Sequence, residues 1–349
     1  MNDEKRKEFW DVLCELDGKD MAADAKLLQS KIQLPKILCR YRKVNSNNLE
    51  ALRTNKIYLS KASQYDDPFD TFLHFNINSI KTPFESNFQT HEAKVRLANA
   101  MDYMIKHSSI NIDDEMKRLL TTPEGLTEVY NKGITDSFTD YIMNMRTALQ
   151  EQVLSACFSE DCFEETLWIK YADNHKGFAL VYDNNILENC RCGKESKCEN
   201  CIVKNYGYSM LPIYYSDIPY DATNFALPIL EKHLENQTSL RVPDFAKSTY
   251  SNITWDIRRC SLIKKECHKH DKEWRLLANF ITNKTVCIEW IPAMVIIGLR
   301  TSKSDTNLIV SLAKEAGIKK VYKSFIDINN VLSLYPIFVD ENQNVETQK

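Results

Sequence analysis

Glycine is scarce, with eight residues in 349. Loops that cradle phosphate through successive backbone N–H groups, and the sharp turn beneath a hydrolase nucleophile, need glycine at fixed spacings. No G-x-G-x-x-G, G-x-x-x-x-G-K-[ST] or G-x-S-x-G pattern occurs. Long apolar runs are also missing. No window approaches the roughly 18 residues that cross a bilayer, and Met1-Asn2-Asp3-Glu4-Lys5-Arg6 leads into an amphipathic pattern, not a signal sequence. Charge of one sign is lacking too. The 45 basic and 48 acidic residues leave a net of −3, so no global field recruits nucleic acid or an anionic membrane. These absences lead to the expectation of a soluble cytoplasmic protein with no membrane partner, and any nucleic-acid partner, not indicated by net charge, must use a local patch. With 43% apolar residues the chain can bury a sizeable core.

Cysteine, by contrast, is present in an odd number, eleven. Without a signal sequence, a full disulfide framework is not expected. Four of them cluster as C-x-C-x5-C-x2-C: Cys190, Cys192, Cys198 and Cys201. Four thiolates so spaced close a tetrahedron around zinc and leave no open position, so the predicted metal is structural, a small zinc-knuckle loop over 186–205. The other reading is four reduced thiols on a surface loop. A second metal set from Cys260, Cys267, His268 and His270 is poorly spaced.

Along the chain, Phe9, Trp10, Leu13 and Leu16, then Met21, Leu27, Leu28 and Ile32, predict an N-terminal helical segment over 1–33. From 34 to 330 a single α+β domain is expected, with strands at KILCRYRKV, KIYLSK, 153–159, 178–182, 211–215, 273–281, 286–290, 293–298 and 319–322. Ser46 or Asn47 is read as the cap of a short helix between the first two. Residues 77–150 read as a helical insertion, 223–258 and 305–316 as further helix, and 331–349 as a C-terminal tail. Pro212 confines its strand to an edge. Strands and helices without strict alternation indicate α+β, a mixed, largely antiparallel split sheet with helical insertions.

One stretch carries most of the signal. In LWIKYADNHKGFALVYD, residues 167–183, Trp168, Tyr171 and His175 are spaced by three and four. On a helix they share a face, which is either core or a ligand platform. Asp161 with Glu164 has the form of a capping box, and Gly177 is placed as a left-handed C-terminal cap. Elsewhere, Asp67 and Asp70 around Pro68-Phe69 fit a turn or cap. Glu273 and Arg275 share a strand face, so they fit a structural ion pair with each other or with Arg42. Lys264, Lys265, His268, Lys269, His270 and Lys272 read as a solvated basic face or, functionally, a nucleic-acid or phosphate contact.

Three segments together bear a family likeness. YRKV…LEALRTNKIYLSKASQYDDPFD, then CFSED…LWIKYADNHKGFALVYD, then KEWRLL followed by VIIGLRTS, resemble the bacterial domain-of-unknown-function family 2971 over about 34–76 and 151–300. The chain departs from the family pattern at Asp66, where asparagine is usual. More distantly, a basic residue on an early strand, Ser or Tyr in the middle and Glu on a late strand are similar to the order in ADP-ribosyltransferases. That resemblance implies an NAD-using enzyme of the toxin or phage-defence kind. Arg42 would grip phosphate or ribose, with Trp168 and His175 also on the cofactor. Ser159 or Tyr171 would take the middle place, and Glu273 would be the catalytic carboxylate. The acceptor is not specified. The competing expectation is a non-catalytic module that binds a nucleotide or a protein segment with the same residues.

Overall fold

The computed structural model describes residues 1–76, 90–107, 112–129, 132, 135–183, 210–225, 253–279 and 285–340. The cysteine-rich loop, with Cys190, Cys192, Cys198 and Cys201, lies outside them, as does most of the helix expected over 223–258. The chain forms two compact units, one from Met1–Thr71, Glu151–Pro219 and Ile257–Lys349, the other from Phe72–Gln150 and Tyr220–Asp256.

The second unit is helical where it is described. Helices at His91–His107, Asp114–Thr121 and Pro123–Val129 are followed by one at Thr135–Gln152. The polar break at Thr121–Gly125 separates two of them because Asp113 and Thr122 each start a helix. The Asp113 carboxylate accepts from Met116 N at 2.7 Å, and Thr122 Oγ1 accepts from Gly125 N at 3.0 Å. Arg146 anchors the unit by donating to the Leu73 carbonyl at 2.9 Å and lying over the Phe72 ring at 4.2 Å.

The first unit holds the sheet. Its opening helices are α1 (Asp3–Glu15) and α2 (Met21–Ser30). Then come β1 (Ile37–Arg42), α3 (Ser46–Arg53) and β2 (Lys56–Lys61). Asn45, one residue before the expected caps, starts α3 by accepting from Asn48 N at 2.9 Å. β3 (Val153–Ser159), α4 (Glu165–Tyr171) and β4 (Phe178–Asp183) form the predicted strand, helix, strand unit. β5 (Met210–Pro212), β6 (Tyr214–Tyr215), β7 (Ile263–Lys264), β8 (Glu273–Asn279), β9 (Val286–Glu289) and β10 (Met294–Ile297) follow. The chain closes with α5 (Lys303–Glu315), β11 (Lys320–Ile326) and β12 (Leu332–Val339).

The strands run in the order β12-β11-β10-β4-β1-β3-β2-β9, with β8 on the far edge of β3 and β5 beyond β8. Every pairing in this sheet is antiparallel except β10 with β11. The fold is thus the mixed, largely antiparallel α+β expected. Leu332–Val339, read as part of a tail, instead pairs with β11 from Lys320↔Val339 to Ile326↔Leu332. Its half-exposed residues lack the clean alternation that marks a strand in sequence.

β3 is the pivot of the sheet. β8 occupies one of its edges along the whole length, Val153↔Asn279 to Ser159↔Glu273. On the other edge β1 touches only at Cys39↔Ser159, and β2 only at Ser60↔Ser155 and Lys61↔Leu154. Between those contacts β1 and β2 diverge, and the sheet splits.

Two clusters flank the sheet. Leu38, Phe158, Leu180, Tyr182, Trp274 and Val295 belong to one, and Cys39, Tyr41, Trp168, Ala179, Val181 and Ile296 to the other. Alternate residues of β1 and β4 therefore face opposite cores, as a doubly covered sheet requires.

Candidate functional site

The split between β1 and β2 encloses a cavity of about 860 Å³, within the range of ligand sites. β1 supplies Arg40 and Arg42 to its wall, β3 supplies Ser155, Cys157 and Ser159, and β8 supplies Glu273 and Arg275. Tyr171 and Lys170 reach it from the end of α4. Four residues singled out in the sequence, Arg42, Ser159, Tyr171 and Glu273, thus line one cleft.

Trp168 and His175 do not. Trp168 is fully buried, edge-on to Tyr41 with ring centroids 5.2 Å apart, and its indole N–H donates to the Cys162 carbonyl at 3.0 Å. The helix that carries it stops at Tyr171, so His175 is not on its face. Asp173, Asn174 and His175 instead turn back in the left-handed region, with φ of 49°, 52° and 67°, and lay the His175 ring on Trp168 at 5.6 Å. Burial, reinforced by Arg300, depresses the His175 pKa. This half of the expected aromatic platform is core.

Two further local expectations change. Glu164, not Asp161, caps α4, while the Asp161 carboxylate accepts from Phe163 N at 2.8 Å and from Lys272 Nζ at 2.9 Å. Gly177 is not left-handed. It is glycine because a Cβ there would stand 2.1 Å from the Arg42 carbonyl oxygen, where β4 passes β1.

The floor of the cleft is a buried ionic network. The Arg275 guanidinium makes a fork to Asp70, 2.7 Å to Oδ1 and 2.5 Å to Oδ2, and donates from Nε to Glu273 Oε1 at 2.6 Å. Lys264 Nζ lies 2.9 Å from Glu273 Oε2 and 3.0 Å from Asp271 Oδ2. The Glu273 N–H donates to the Tyr215 hydroxyl at 2.7 Å. Burial disfavours the Glu273 carboxylate, but Arg275 and Lys264 outweigh it and hold the group ionised, well below the usual carboxylate range. Lys264, read as part of a solvated basic face, is a buried member of this network, and its neighbouring carboxylates outweigh burial to keep it charged. The expected Glu273–Arg275 pair is present, with Asp70 as the partner that the sequence left at a turn. Asp67 keeps the turn role by accepting from Phe69 N at 2.9 Å.

Above this floor, the Ser155 hydroxyl bonds to Tyr65 and lies 3.5 Å from Cys157 Sγ. Burial, with Glu273 nearby, pushes the Cys157 thiol up to about 12, which favours the neutral thiol at neutral pH. Ser159 Oγ accepts from Asp161 N at 3.1 Å.

The opposite wall is cationic. Arg40 and Arg42, two residues apart, point to the same face of β1. Arg40 is 9% exposed, its guanidinium lies 5.1 Å over the Phe158 ring, and its Nε has no hydrogen-bond partner. Arg42 is half-buried, with Nη1 donating to the Tyr41 carbonyl at 3.0 Å. Burial, and then the like charge of Arg42, lowers the Arg40 pKa to about 9. Neither arginine forms an ion pair with any described residue. Arg40 was missed in the sequence, although two arginines on alternate positions of an apolar strand are the signal that marks it.

Among the described residues, no group of His, Cys, Asp or Glu is arranged to hold a metal ion, so Cys260, Cys267, His268 and His270 do not form the second site considered. No helix of the described residues is long and apolar enough to cross a membrane.

Residues 167–276 match the model of the family described as protein of unknown function (DUF2971). Over that segment the family resemblance read from the motifs holds. It takes in α4 from Leu167, β4 and the Glu273–Leu276 part of β8, and leaves β1 and β2 outside. No curated protein and no solved structure matches the chain.

Proposed function

We propose that the cleft between β1 and β2 binds a phosphate-bearing nucleotide, and that NAD is the nucleotide from which it transfers ADP-ribose. The observation that carries this reading is the meeting of Arg42, Ser159, Tyr171 and Glu273 on one 860 Å³ cavity at a split in the sheet. Arg42 would hold phosphate or ribose oxygens through its planar fork. Tyr171, a half-buried phenol whose pKa burial raises, would pack on the nicotinamide side and stay a neutral hydrogen-bond donor. Glu273 is ionised, and each of its oxygens spends one lone pair on Arg275 or Lys264. A carboxylate has about four acceptor sites, so Glu273 keeps capacity to accept from a ribose hydroxyl and to oppose oxocarbenium charge.

A second reading is a binding module without chemistry. The observation in its favour is the same pair of contacts on Glu273, which ties the carboxylate to two buried cations and leaves it 5% exposed. Incubation with labelled NAD and cell extract separates the two. Nicotinamide release with label transfer supports the transferase. NAD binding without release leaves the module, and absence of both discards the nucleotide assignment.

The spacing of Cys190, Cys192, Cys198 and Cys201 supports, separately, a structural zinc ion in that loop.

A further inference from the structure

The cationic wall of the cleft is expensive for the fold. Arg40 is 91% removed from solvent by its 9% exposure, carries a neighbouring arginine on its own strand face, and has no carboxylate against it among the described residues. Burying a charge without a counter-charge is strongly unfavourable in an ordinary interior. Of the six carboxylates that line the same cavity, the exposed Asp66 alone has no partner among the described residues, and the other five are committed elsewhere. Glu50 is forked by Arg53 at 2.7 and 2.8 Å. Asp70, Asp271 and Glu273 are bound to Arg275 and Lys264, and Asp67 faces His268 at 3.3 Å. Stacking on Phe158 offsets only part of that cost and leaves the Nε proton without an acceptor. A cation that lines a cavity without a counter-charge, and keeps an unmatched donor, is arranged for something that arrives from outside.

We infer that Arg40 and Arg42 together form a subsite for a diphosphate group, with Arg40 the residue that sets the preference for diphosphate over a single phosphate. Arg40 and Arg42 stand about 6.5–7 Å apart along β1, by the rise of two strand residues, and each presents a guanidinium to the same side. Two linked phosphoryl groups carry enough separated charge to occupy both arginines at once. A single phosphate carries less charge and spans less of the distance between them. The subsite lies outside the matched family segment, since that begins at residue 167. It rests on the nucleotide reading only for which nucleotide carries the diphosphate, and the anion preference stands or falls without it.

The test uses the full chain and titration calorimetry with inorganic pyrophosphate, inorganic phosphate and NAD. The expected result is pyrophosphate bound at least tenfold more tightly than phosphate, and weakened at least tenfold by Arg40→Met. Arg40→Lys should recover part of that loss, because it restores charge without the fork. The thermal midpoint of Arg40→Met should equal or exceed that of the parent, since an unpaired buried charge has been removed. Pyrophosphate bound no better than phosphate, or equally well by Arg40→Met, overturns the subsite. So does a lowered midpoint or lost fold in both Arg40 variants, which would make Arg40 a structural side chain held by Phe158. Pyrophosphate binding with no NAD binding sinks the NAD reading and upholds the subsite. NAD turnover by the parent, with pyrophosphate bound no better than phosphate, does the reverse.

Discussion

Glu273 and Arg275 project from the same face of β8 and are joined through Nε and Oε1 at 2.6 Å, although each is no more than 5% exposed. Arg275 is the more heavily used of the two, because it also carries the two-point contact to Asp70. Replacement of Arg275 by Met should therefore cost more than replacement of Glu273 by Gln. The former strands three carboxylates around one lysine and should remove about 3–5 kcal/mol. The latter keeps the volume and one acceptor and should remove about 1–3 kcal/mol. Urea denaturation of both variants measures the order, and a reversed order would show that the Asp70 fork is not what holds the floor together.

Acid should dissolve the same floor. The folded-state pKa of Glu273 is depressed by Arg275 and Lys264, so its contribution to stability is complete above the unfolded carboxylate value of about 4.3 and is lost as pH falls below it toward the folded value. Unfolding free energy measured between pH 7 and 3 should decline steeply in the lower part of that window. In Glu273→Gln the decline should be shallower. Equal slopes would assign the acid sensitivity to other carboxylates.

Tyr171 and Trp168 sit one helical turn apart with different fates. Tyr171→Phe keeps the ring and removes the hydroxyl at the cleft, so the thermal midpoint should hold while NAD binding weakens several-fold. Trp168→Ala empties a fully buried site and should cost about 3–5 kcal/mol. Were Tyr171→Phe to bind NAD like the parent, the hydroxyl would have no part in the site.

Much of this was readable from the amino-acid sequence. β3 and β4 are recovered to within a residue because their apolar runs are short and bounded by turn residues. Glu273 and Arg275 were paired on alternation alone. The aromatic stripe misled, because the spacing of Trp168, Tyr171 and His175 presumes one continuous helix. Three left-handed residues after Tyr171 end that helix and fold His175 back onto Trp168. Nothing in a local pattern announces Asp70 as the partner of a residue 205 positions away, nor the isolation of Arg40, since both are settled by which strands β3 accepts as neighbours.

Gly177→Ala tests how tightly β1 is held. The added Cβ would meet the Arg42 carbonyl at 2.1 Å, a backbone atom that yields only if the Arg42↔Phe178 pairing shifts. A loss of about 1–3 kcal/mol or more is expected, together with weaker pyrophosphate binding, read by calorimetry. Binding unchanged in a destabilised variant would uncouple the arginine wall from that pairing.

The cysteine loop yields to elemental analysis. Purified protein should contain about one zinc per chain, and Cys198→Ser should remove most of it. Protein prepared without chelator and free of zinc would end the proposal.

The two jaws of the cleft differ in stiffness. β1 is zipped to β4 through six consecutive residue pairs, and its reverse face is sealed by Tyr41 against Trp168. β2 leans on β3 through two pairs and on β9 through four. Prising β1 outward would unzip a ladder and uncover a tryptophan, whereas β2, moving together with β9, gives up only its two pairs with β3. The arginine jaw is thus the stiffer of the two, and the nucleotide proposed above would be admitted at least cost by a yielding of the β2 side.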